Sequence, residues 1–387
     1  MTDARVLFMT SGPFPPDIRI EKEVMALVQA GFRVDVIASS ENTQTKVCLH
    51  HGARVHYLRF RTLKGIPLVS LIPFLRLLNA LSPDIIHLDD APLGLYAILC
   101  AKLSRARLIY DNHEVWADYI RYTAPSRFWA FVGFLFYYAI ELALLHVADA
   151  TIAVVEEAKE EMLRLYHVPS SKIRVIRNLV ALDEVRDIEP LDDPRIKGRF
   201  VVTYIGHIGG ERAVEIATAI QACHISRNTI PITLVIVGES PPETRDSLLD
   251  LARRLGACES IYFTGRLPFP EAMSYVAASD ICFLGFPKSR FTDYSLPHKV
   301  SQYLYFGKPL VAPSLRSLDR VFDGAIAHYV AGDAKSLART FIKLYENEQL
   351  RRLLGTRGRY LVTEELNWEL EKDRVIRLHR ALAEPST

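Results

Sequence analysis

A glycine-rich turn follows one of the apolar runs in the second half of the chain. The run FVVTYIG (200–206) ends at Gly206 and is followed by His207, Gly209 and Arg212 before a helical pattern begins. Glycines let a backbone approach a ligand closely, a helix N-terminus offers free N–H groups to an anion, and an arginine hydrogen-bonds phosphate oxygens. The turn therefore predicts a phosphate site, although glycine at a strand-to-helix turn is also common for structural reasons. It is neither G-x-G-x-x-G nor a P-loop, which argues against a nicotinamide cofactor and against ATP hydrolysis.

A second candidate site lies in the segment YSLPHKVSQY (294–303). Pro297 pre-sets the first turn of a helix, Lys299 adds a mobile positive charge, and Gln302 lies three residues further on a similar face. Opposite a glycine turn that carries an arginine, this positive helix start predicts a clamp for a diphosphate. The alternative is an ordinary capped helix whose lysine is solvated.

Candidate residues in the first half follow two apolar runs. His113 comes after RLIYDN (107–112), and Gly12 lies in the loop after residues 5–11. Sites form at the carboxyl ends of parallel strands, so His113 is a candidate catalytic residue and Gly12 a candidate site residue. The alternative for His113 is a hydrogen-bonded rim residue. The sequence has no Asp-x-Asp pair, no His or Cys cluster with ligand spacing and no G-x-S-x-G motif, so we expect neither a dedicated metal site nor a serine nucleophile.

The elements that must position these residues alternate between short β-branched runs and longer helical patterns, 67–80 and 127–147 among the latter. Near-continuous apolar strands separated by helices indicate βαβ units and parallel sheets. The predicted fold class is α/β, with two doubly wound, Rossmann-like parallel-sheet domains facing a cleft. The predicted boundaries are 1–182 for the N-terminal domain, 183–197 for an acidic, proline-bearing linker, 198–367 for the C-terminal domain, and 368–387 for a terminal helix that can pack back on the first domain.

The composition limits the possible functions. Of 387 residues, 49% are hydrophobic and 24% are charged, and the 47 Lys and Arg residues nearly balance the 45 Asp and Glu residues. This composition excludes a disordered chain and argues against nucleic acid as a partner. The five cysteines are never in C-x-x-C spacing, which argues against a disulfide framework and a structural zinc site. No signal-peptide pattern precedes Arg5, so we expect a cytoplasmic protein.

One segment is unusually rich in aromatic residues. The stretch FWAFVGFLFYYAI (128–140) carries no charge, and Glu141 follows it. A spanning helix needs about 20 apolar residues, so this segment is predicted to be too short to span a bilayer. Aromatic rings suit the headgroup level of a membrane interface, which predicts a peripheral contact at the inner face of a membrane. The alternative is a buried interdomain helix. The predicted contact residues are Phe128, Trp129, Phe131 and Phe134.

Taken together, the motifs point to a known family. The first half contains PPDIRIEKEVMALVQAGFRVDVIA, PDIIHLDD, YDNHE, VADATIAV and IRVIRN. The second half contains VVTYIGHIGGER, ITLVIVGE, IYFTGRL, YVAASDICFLGF, the P-x-K…QY…GKPLVA run and LNWE. In order and spacing, and over nearly the whole chain, they resemble the family 4 retaining glycosyltransferases of GT-B fold. The resemblance implies transfer of a sugar from a nucleotide diphosphate with retention of configuration, without a metal or other cofactor.

The resemblance also implies roles for single residues of the C-terminal, nucleotide-sugar-binding domain. Gly206 opens the phosphate loop, Arg212 falls where the family has a phosphate-binding lysine, and His207 stands where an arginine is usual. Arg266 and Leu267 sit where backbone groups meet the nucleotide base. A cationic side chain at this place stabilises the charge that builds on the leaving diphosphate.

His113 of the N-terminal, acceptor-side domain matches the histidine near the transferred sugar. The chain departs from the family at two further positions. The family usually has two glutamates eight positions apart, the second of which grips the ribose. In this chain Tyr294 and Gln302 occupy those positions. A glutamine still hydrogen-bonds a ribose hydroxyl, without the strength of a charged acceptor.

Three functions are compatible with these features. The leading hypothesis is a retaining transferase that moves a sugar from a UDP- or GDP-linked donor to a glycan or lipid-linked acceptor, in the synthesis of a surface polysaccharide or lipid-linked glycan. A degenerate family member that binds a nucleotide, a glycan or a partner transferase without catalysis is the second. A sugar-nucleotide epimerase is the third, and the shortage of inward carboxylates argues against it.

Overall fold

The structure is a computed structural model that describes residues 4–15, 17–39, 46–63, 66–69, 71–124 and 126–384. The chain divides into two compact units. Unit 1 contains the residues up to Asn178 together with those from Glu371 onward, and unit 2 runs from Leu179 to Leu370. Each unit is built on a sheet of mostly parallel strands connected by helices. The predicted α/β class with two parallel-sheet domains is confirmed.

The described strands of unit 1 are β1 (Arg5–Met9), β2 (Arg33–Ser39), β3 (Lys46–His50), β4 (Ala53–Leu58), β5 (Phe60–Leu63), β6 (Ile66–Val69), β7 (Ile85–Asp89), β8 (Arg107–Asn112), β9 (Ala150–Ala153) and β10 (Ile173–Val175). Eight of them form one sheet in the order β10-β9-β8-β7-β1-β2-β4-β3, and β5 pairs with β6. The pairings in the large sheet are parallel except that β3 is antiparallel to β4. The strand order reverses between β1 and β7, and open α/β sheets place their ligands at the carboxyl ends of such a pair.

The helices of unit 1 include α1 (Ile18–Gln29), α2 (Leu71–Leu81), α3 (Gly94–Ser104), α4 (Trp116–Thr123), α5 (Arg127–Val147) and α6 (Glu156–Tyr166). Helix α1 begins after Asp17, whose Oδ1 accepts hydrogen bonds from the N–H groups of Arg19 and Ile20 at 3.0 and 3.3 Å. The helix predicted over 67–80 is wrong at its start, because residues 66–69 form β6 and pair with β5. A short apolar run has no periodicity that separates a strand from a helix, and here the pairing partner decides.

Unit 2 contains a six-stranded, all-parallel sheet with the order β13-β12-β11-β14-β15-β16. Its strands are β11 (Phe200–Ile205), β12 (Ile232–Val237), β13 (Ile261–Gly265), β14 (Ile281–Phe283), β15 (Leu310–Pro313) and β16 (Ile326–Tyr329). Its helices include α7 (Leu182–Val185), α8 (Glu211–Ser226), α9 (Pro242–Arg254), α10 (Phe269–Ala278), α11 (Lys299–Tyr305), α12 (Arg316–Val321), α13 (Ala334–Glu346) and α14 (Glu348–Tyr360). Val201 packs into one hydrophobic core and the next residue, Val202, into another, so both faces of this sheet are buried.

The stretch 183–197, predicted as a linker, is instead part of unit 2. Val185 and Ile196 lie in one of its hydrophobic cores, and the N–H of Leu191 donates to the Ser274 carbonyl at 3.2 Å. The unit begins at Leu179, before the predicted boundary at residue 182, because Leu179 is itself buried in that core. Isolated apolar residues anchor the stretch, so it is ordered by packing although its sequence has no helical or strand period.

The last helix, α15, spans Trp368–Ala383. Its start is capped by Asn367, whose Oδ1 accepts from the N–H of Leu370 at 3.1 Å. From Glu371 onward the chain belongs to unit 1, where Nη1 of Arg177 lies 3.4 Å from Oε1 of Glu371. Residues 385–387, the end of the predicted helix, lie outside the described residues.

Candidate functional site

Three neighbouring strands of unit 2 end in glycines with positive φ. Gly206 follows β11 with φ +144°, Gly238 follows β12 with φ +148°, and Gly265 ends β13 with φ +75°. The N–H of Gly206 donates to the Val237 carbonyl, and that of Gly238 to the Gly265 carbonyl, both at 2.9 Å. A Cβ on Gly238 would overlap the carbonyl group of Gly206. Only glycine fits here, so the carboxyl edge of the sheet is lined by bare backbone.

Lys299, the first residue of α11, reaches this edge. Its Nζ donates to the carbonyl of Ile205 and lies 4.8 Å from the ring centre of Tyr204. A Cβ on Gly206 would run into the same Nζ. Burial, with a smaller contribution from the positive charge of Arg212, lowers the pKa of the Lys299 amine to about 7. The turn and the lysine that were predicted separately from the sequence therefore meet.

Arg212 and His207 flank the same turn. Arg212 is the second residue of α8, it is exposed, and its guanidinium lies 5.2 Å from the ring centre of Phe286, just beyond β14. The strand order of unit 2 reverses between β11 and β14, so this arginine lies at the reversal point. The exposed His207 ring covers Gly209, because a Cβ on Gly209 would lie 2.7 Å from Nε2 of His207. The predicted residues Gly206, His207, Gly209, Arg212 and Lys299 thus form one cluster.

Among the described residues, no carboxylate pairs with Lys299 or with Arg212. Two cations beside a loop of bare backbone are suited to an anion with several oxygen atoms.

Two of the other predicted residues of the second motif, Tyr294 and Gln302, are buried. Tyr294 ends a 3₁₀ turn (Thr292–Tyr294) and is 5% exposed, with its ring edge-on to Phe291. Gln302 is also 5% exposed, and none of the described residues hydrogen-bonds its side-chain amide. The Pro297 carbonyl accepts from the N–H of Val300 at 3.0 Å, and α11 itself begins two residues after the proline.

Arg266 and Leu267 follow β13 at the same edge of the sheet. Arg266 is exposed, and its Nη1 lies 3.8 Å from Oε2 of Glu239. Leu267 packs against one of the unit 2 cores, which anchors the backbone of this loop. Both residues are compatible with a role in which backbone groups rather than side chains meet a ligand.

His113 lies at the end of β8 in unit 1, in an ion-pair network. Its Nε2 is 2.8 Å from Oδ2 of Asp111 and 3.7 Å from Oδ1 of Asp89, and its N–H donates to Asp90 at 3.2 Å. Burial and the charge of Arg19 lower the pKa of the His113 ring, but the nearby carboxylates outweigh them and raise it to about 9. The ring is therefore protonated at neutral pH.

The loop after β1 meets the same network. Oγ1 of Thr10 donates to Asp89 at 3.0 Å and accepts from the N–H of Gly12 at 3.2 Å. Nη2 of Arg19 lies 2.9 Å from Oδ1 of Asp89. Gly12 thus lies near the reversal point between β1 and β7. Its place in an acceptor-side loop, which the resemblance implies, stays a prediction.

Most of this network was not predicted from the sequence; it is formed by Arg19, Glu23, His87, Asp89 and Asp111. A signal was present, because His87 and Asp89 interrupt the apolar strand β7, and Asp111 interrupts β8. Polar residues inside a doubly covered strand are expected only where they are paired or functional.

A second buried carboxylate fixes the loop after His113. Glu141 of α5 accepts from the N–H groups of Trp116 and Ala117, which start α4, at 3.0 and 2.9 Å. It also accepts from the hydroxyls of Tyr110 and Tyr166 at 3.1 and 2.6 Å. Burial raises the pKa of Glu141 to about 7 despite these hydrogen bonds. The residue that interrupts the apolar segment in sequence is thus the anchor of α4.

Among the residues that the structure describes, three groups of histidine and carboxylate side chains lie close enough together to be compared with a metal site: Glu21, His50 and His51; Glu23, His87 and Asp111; and Asp89, Asp111 and His113. In each group one histidine Nε2 lies within hydrogen-bond distance of a carboxylate oxygen. These groups are therefore hydrogen-bonded side-chain clusters.

The aromatic half of α5 is largely exposed. Phe128 is 66%, Phe131 61% and Trp129 41% exposed. Phe134 differs from the prediction, because the guanidinium of Arg121 lies 5.0 Å from its ring centre and covers it. Within the described part of the chain, α5 alone is long and apolar enough to cross a membrane, and 28% of its most apolar stretch is buried in the structure. The prediction that the segment is too short to span a bilayer is therefore wrong on length, because the helix continues through Glu141 to Val147.

Comparison with known proteins identifies both halves of the chain. Residues 20–184 match Glycosyltransferase Family 4, and residues 188–360 match Glycosyl transferases group 1. An uncharacterized glycosyltransferase of Methanocaldococcus jannaschii is 26% identical over 228 residues, which are 57% of this chain and 56% of the relative. The chain thus spans about half the length of that curated relative.

Solved structures share the fold over nearly the whole chain. A sucrose-phosphate synthase from Thermosynechococcus elongatus superposes with a TM-score of 0.78 at 18% identity, covering 98% of this chain and 99% of that one. The HepE protein of Anabaena in complex with UDP-glucose superposes with a TM-score of 0.75 at 13% identity, covering 97% and 99%. The two family models adjoin and together account for nearly all of the chain, which therefore belongs to the glycosyltransferases of GT-B fold.

Proposed function

We propose that this protein transfers a sugar from a nucleoside-diphosphate sugar to a lipid-linked or glycan acceptor, with retention of anomeric configuration and without a metal ion. Unit 2 binds the nucleotide diphosphate, and His113 of unit 1 serves the same reaction. The observation that carries the proposal is the pair of cations, Lys299 and Arg212, which have no carboxylate partner among the described residues and flank the glycine loop.

These cations supply what a diphosphate leaving group requires. Negative charge builds on the leaving diphosphate as the sugar departs, and fixed positive charge lowers the free energy of that transition state. Once a bound diphosphate has raised the pKa of Lys299, Lys299 and Arg212 together offer two positive charges, which is the charge that a divalent cation would contribute. This equivalence supports metal-independent transfer. Retention is supported by the family resemblance.

The geometry of His113 favours a role in binding the transferred sugar rather than in removing a proton. Its pKa of about 9 keeps the ring protonated at neutral pH, and Asp111 holds Nε2. None of the described residues accepts a hydrogen bond from Nδ1. We propose that Nδ1–H donates to an oxygen of the sugar, since a protonated imidazole has two donors and no acceptor.

A lipid-linked acceptor at an anionic membrane fits the exposed face of α5. Phe128, Trp129 and Phe131 offer apolar contact area, and the exposed Arg127 adds positive charge at the start of the same helix. Burial of aromatic side chains at the interface and attraction to anionic headgroups act together at such a surface.

The donor site can be tested by calorimetric titration with UDP, GDP and ADP without added metal. Arg212→Ala should weaken binding of the preferred nucleotide by about ten- to a hundredfold, the effect of losing a charge-assisted hydrogen bond. Arg254→Ala is the control, because Arg254 ends α9 and so lies away from the carboxyl edge. Equal binding by the wild type and Arg212→Ala would refute the proposed clamp.

The reaction can be followed by proton NMR of the nucleotide sugar that binds. Release of the sugar with its original anomeric configuration supports a retaining transferase. The inverted anomer contradicts retention, and an epimerised nucleotide sugar identifies the epimerase instead.

A binding-only protein is the second candidate function. It is favoured by Tyr294, a buried aromatic residue at the position where the resemblance implies a glutamate. Tight nucleotide binding without release or transfer of sugar to extracted lipid acceptors would select this function.

The membrane contact has a separate test. Phe128→Ser combined with Phe131→Ser should reduce sedimentation with vesicles of phosphatidylglycerol and phosphatidylcholine by at least about tenfold, because each buried phenyl ring contributes about 1.5–3 kcal/mol. Leu353→Ser is the matched control, since Leu353 is 64% exposed on α14 of unit 2. Unchanged sedimentation of the double variant would show that α5 does not contact the vesicles.

A further inference from the structure

A chain of buried rings connects the C-terminal helix to His113. Nε2 of His379, on α15, lies 3.2 Å from Nδ1 of His87 on β7. Nε2 of His87 lies 3.3 Å from Oδ2 of Asp111, and the same oxygen lies 2.8 Å from Nε2 of His113. All of these side chains belong to unit 1, and His379 is fully buried. The chain therefore spans the full distance from α15 to the candidate site.

The hydrogen bonds of His379 determine its tautomer. Its Nδ1 lies 2.9 Å from the carbonyl of Val375, which only accepts, so Nδ1 carries a proton. Burial and the charge of His87 lower the pKa of His379 to about 3, so the ring is neutral and Nε2 carries a lone pair. Nε2 therefore accepts a hydrogen bond from Nδ1–H of His87.

His87 is consequently held as an imidazolium. Its Nδ1–H donates to His379, while its Nε2 faces two acceptors, Oδ2 of Asp111 at 3.3 Å and Oε2 of Glu23 at 3.5 Å. A ring that donates at both nitrogens carries two protons and a positive charge. The ring also stacks on Phe8, with ring centres 4.3 Å apart, which fixes its plane.

Asp111 is shared between two cations as a result. Oδ2 of Asp111 contacts His87 on one side and His113 on the other, and each positive ring disfavours protonation of the other. The remaining charged groups that face these rings are Arg19, Glu23, Asp89 and Asp90.

We propose that His379 is a positioning residue, which holds His87 as the imidazolium and thereby sets the proton occupancy and orientation of His113 through Asp111. The inference rests on the proposed role of His113, but its first test does not depend on activity. Without an acceptor at position 379, Nδ1–H of His87 is buried without a partner, and the ring loses that proton. One positive charge then disappears from the shared carboxylate, so His113 binds its proton more tightly.

The experiment is nitrogen NMR of the full-length protein with ¹⁵N-labelled histidine. At pH 7.5 the wild type should show both ring nitrogens of His87 protonated, and His379→Phe should show one. The titration midpoint of His113 should rise by about one pH unit in His379→Phe, the effect expected when a neighbouring like charge is lost. His379→Gln places an amide oxygen at the position of Nε2 and should restore both signals.

A matched control separates this effect from damage to a helix. His146 on α5 makes the same contact to the preceding turn, with its Nδ1 2.8 Å from the Leu142 carbonyl, but it is exposed. His146→Phe should leave the signals of His87 and His113 unchanged. A doubly protonated His87 in folded His379→Phe, or an unchanged His113 midpoint, would overturn the proposal.

Activity gives a second readout. In His379→Phe the pH profile of kcat should shift to higher pH with little change in KM for the nucleotide sugar, because unit 2 binds the diphosphate. If NMR shows the expected changes but kcat does not respond, the influence of His379 on His113 is supported and the proposed role of His113 in transfer is wrong.

Discussion

Binding of a nucleotide sugar should make Lys299 take up a proton. In the free protein Nζ of Lys299 contacts only a backbone carbonyl and an aromatic ring among the described residues, and burial with the charge of Arg212 lowers its pKa to about 7. A bound diphosphate brings two negative charges to the same edge. An opposite charge within about 4–6 Å raises the pKa of an amine by about 1–3 units, so the amine is protonated in the complex near neutral pH.

The size of the effect follows from the pKa. With a value of about 7, about nine tenths of the Lys299 amines are neutral at pH 8 and about one tenth at pH 6. With the pKa raised by about 1–3 units in the complex, binding takes up about 0.4–0.9 proton at pH 8 and about 0.1 at pH 6. Because uptake accompanies binding, the affinity decreases as the pH rises from the free towards the bound pKa, by at most about tenfold per unit, and is nearly constant well below pH 7.

The assay is calorimetry at pH 8 in buffers with different ionisation enthalpies, with UDP-glucose as the first ligand. The slope of the observed enthalpy against the buffer enthalpy gives the number of protons taken up. Lys299→Met should bind more weakly and show a slope near zero. Lys308→Met is the matched control, since burial also lowers the pKa of Lys308, which precedes β15 at the opposite edge of the sheet.

Two outcomes would refute this reasoning. A slope near zero in the wild type would mean that Lys299 is already protonated when free, or that it lies away from the diphosphate. A slope that persists in Lys299→Met would assign the proton to another group.

Two further predictions concern stability. Glu141→Gln should destabilise the fold by about 2–4 kcal/mol, because the glutamine NH₂ is a hydrogen-bond donor that faces N–H and O–H groups that also donate. Urea unfolding measures this change. Glu348→Gln, at an exposed position, is the control and should change the free energy of unfolding little. Burial raises the pKa of Glu141 to about 7, so between pH 4.5 and 7 the folded state binds more protons than the unfolded state does. The contribution of Glu141 to the free energy of unfolding therefore falls as the pH rises through this range. That pH dependence should be smaller in Glu141→Gln. Gly238→Ala should cost about 2–4 kcal/mol and abolish nucleotide binding, since a Cβ there meets the Gly206 carbonyl. Gly332→Ala, at φ +74° but in open space, should cost only about 1–2 kcal/mol in thermal unfolding, and equal effects of the two would contradict the argument.

The sequence predicted the elements that have a strong local signal. Apolar runs such as 200–206 and 232–238 became central strands because a run of β-branched residues fits a sheet covered on both faces. Residues 183–197 and 66–69 were misjudged, since their structure depends on Ile196 entering a core and on β6 finding a partner strand. Neither event has a periodic signature.

The candidate site shows the same division. The motif residues Gly206, Arg212 and Lys299 were found in sequence because glycine and cationic side chains at strand ends and helix starts are local features. The partners of His113 were missed because Arg19, Asp89 and Asp111 come from three separate elements. Similarly, Glu141 interrupts an apolar segment in the sequence, and only the tertiary structure shows that it accepts hydrogen bonds from the first N–H groups of α4.

The sequence alone determined the α/β class, the two-sheet organisation and the types of residue at the strand ends, because hydrophobic periodicity and backbone chemistry are encoded over a few neighbouring residues. The tertiary structure alone decided which charges are paired. It placed no carboxylate of the described residues beside Lys299 or Arg212 and gave His113 a shared one, and it brought His379 to His87 across 292 positions of sequence. The protonation state of a buried group depends on neighbours that are distant in the chain, so folding had to place those neighbours before the chemistry of the site was defined.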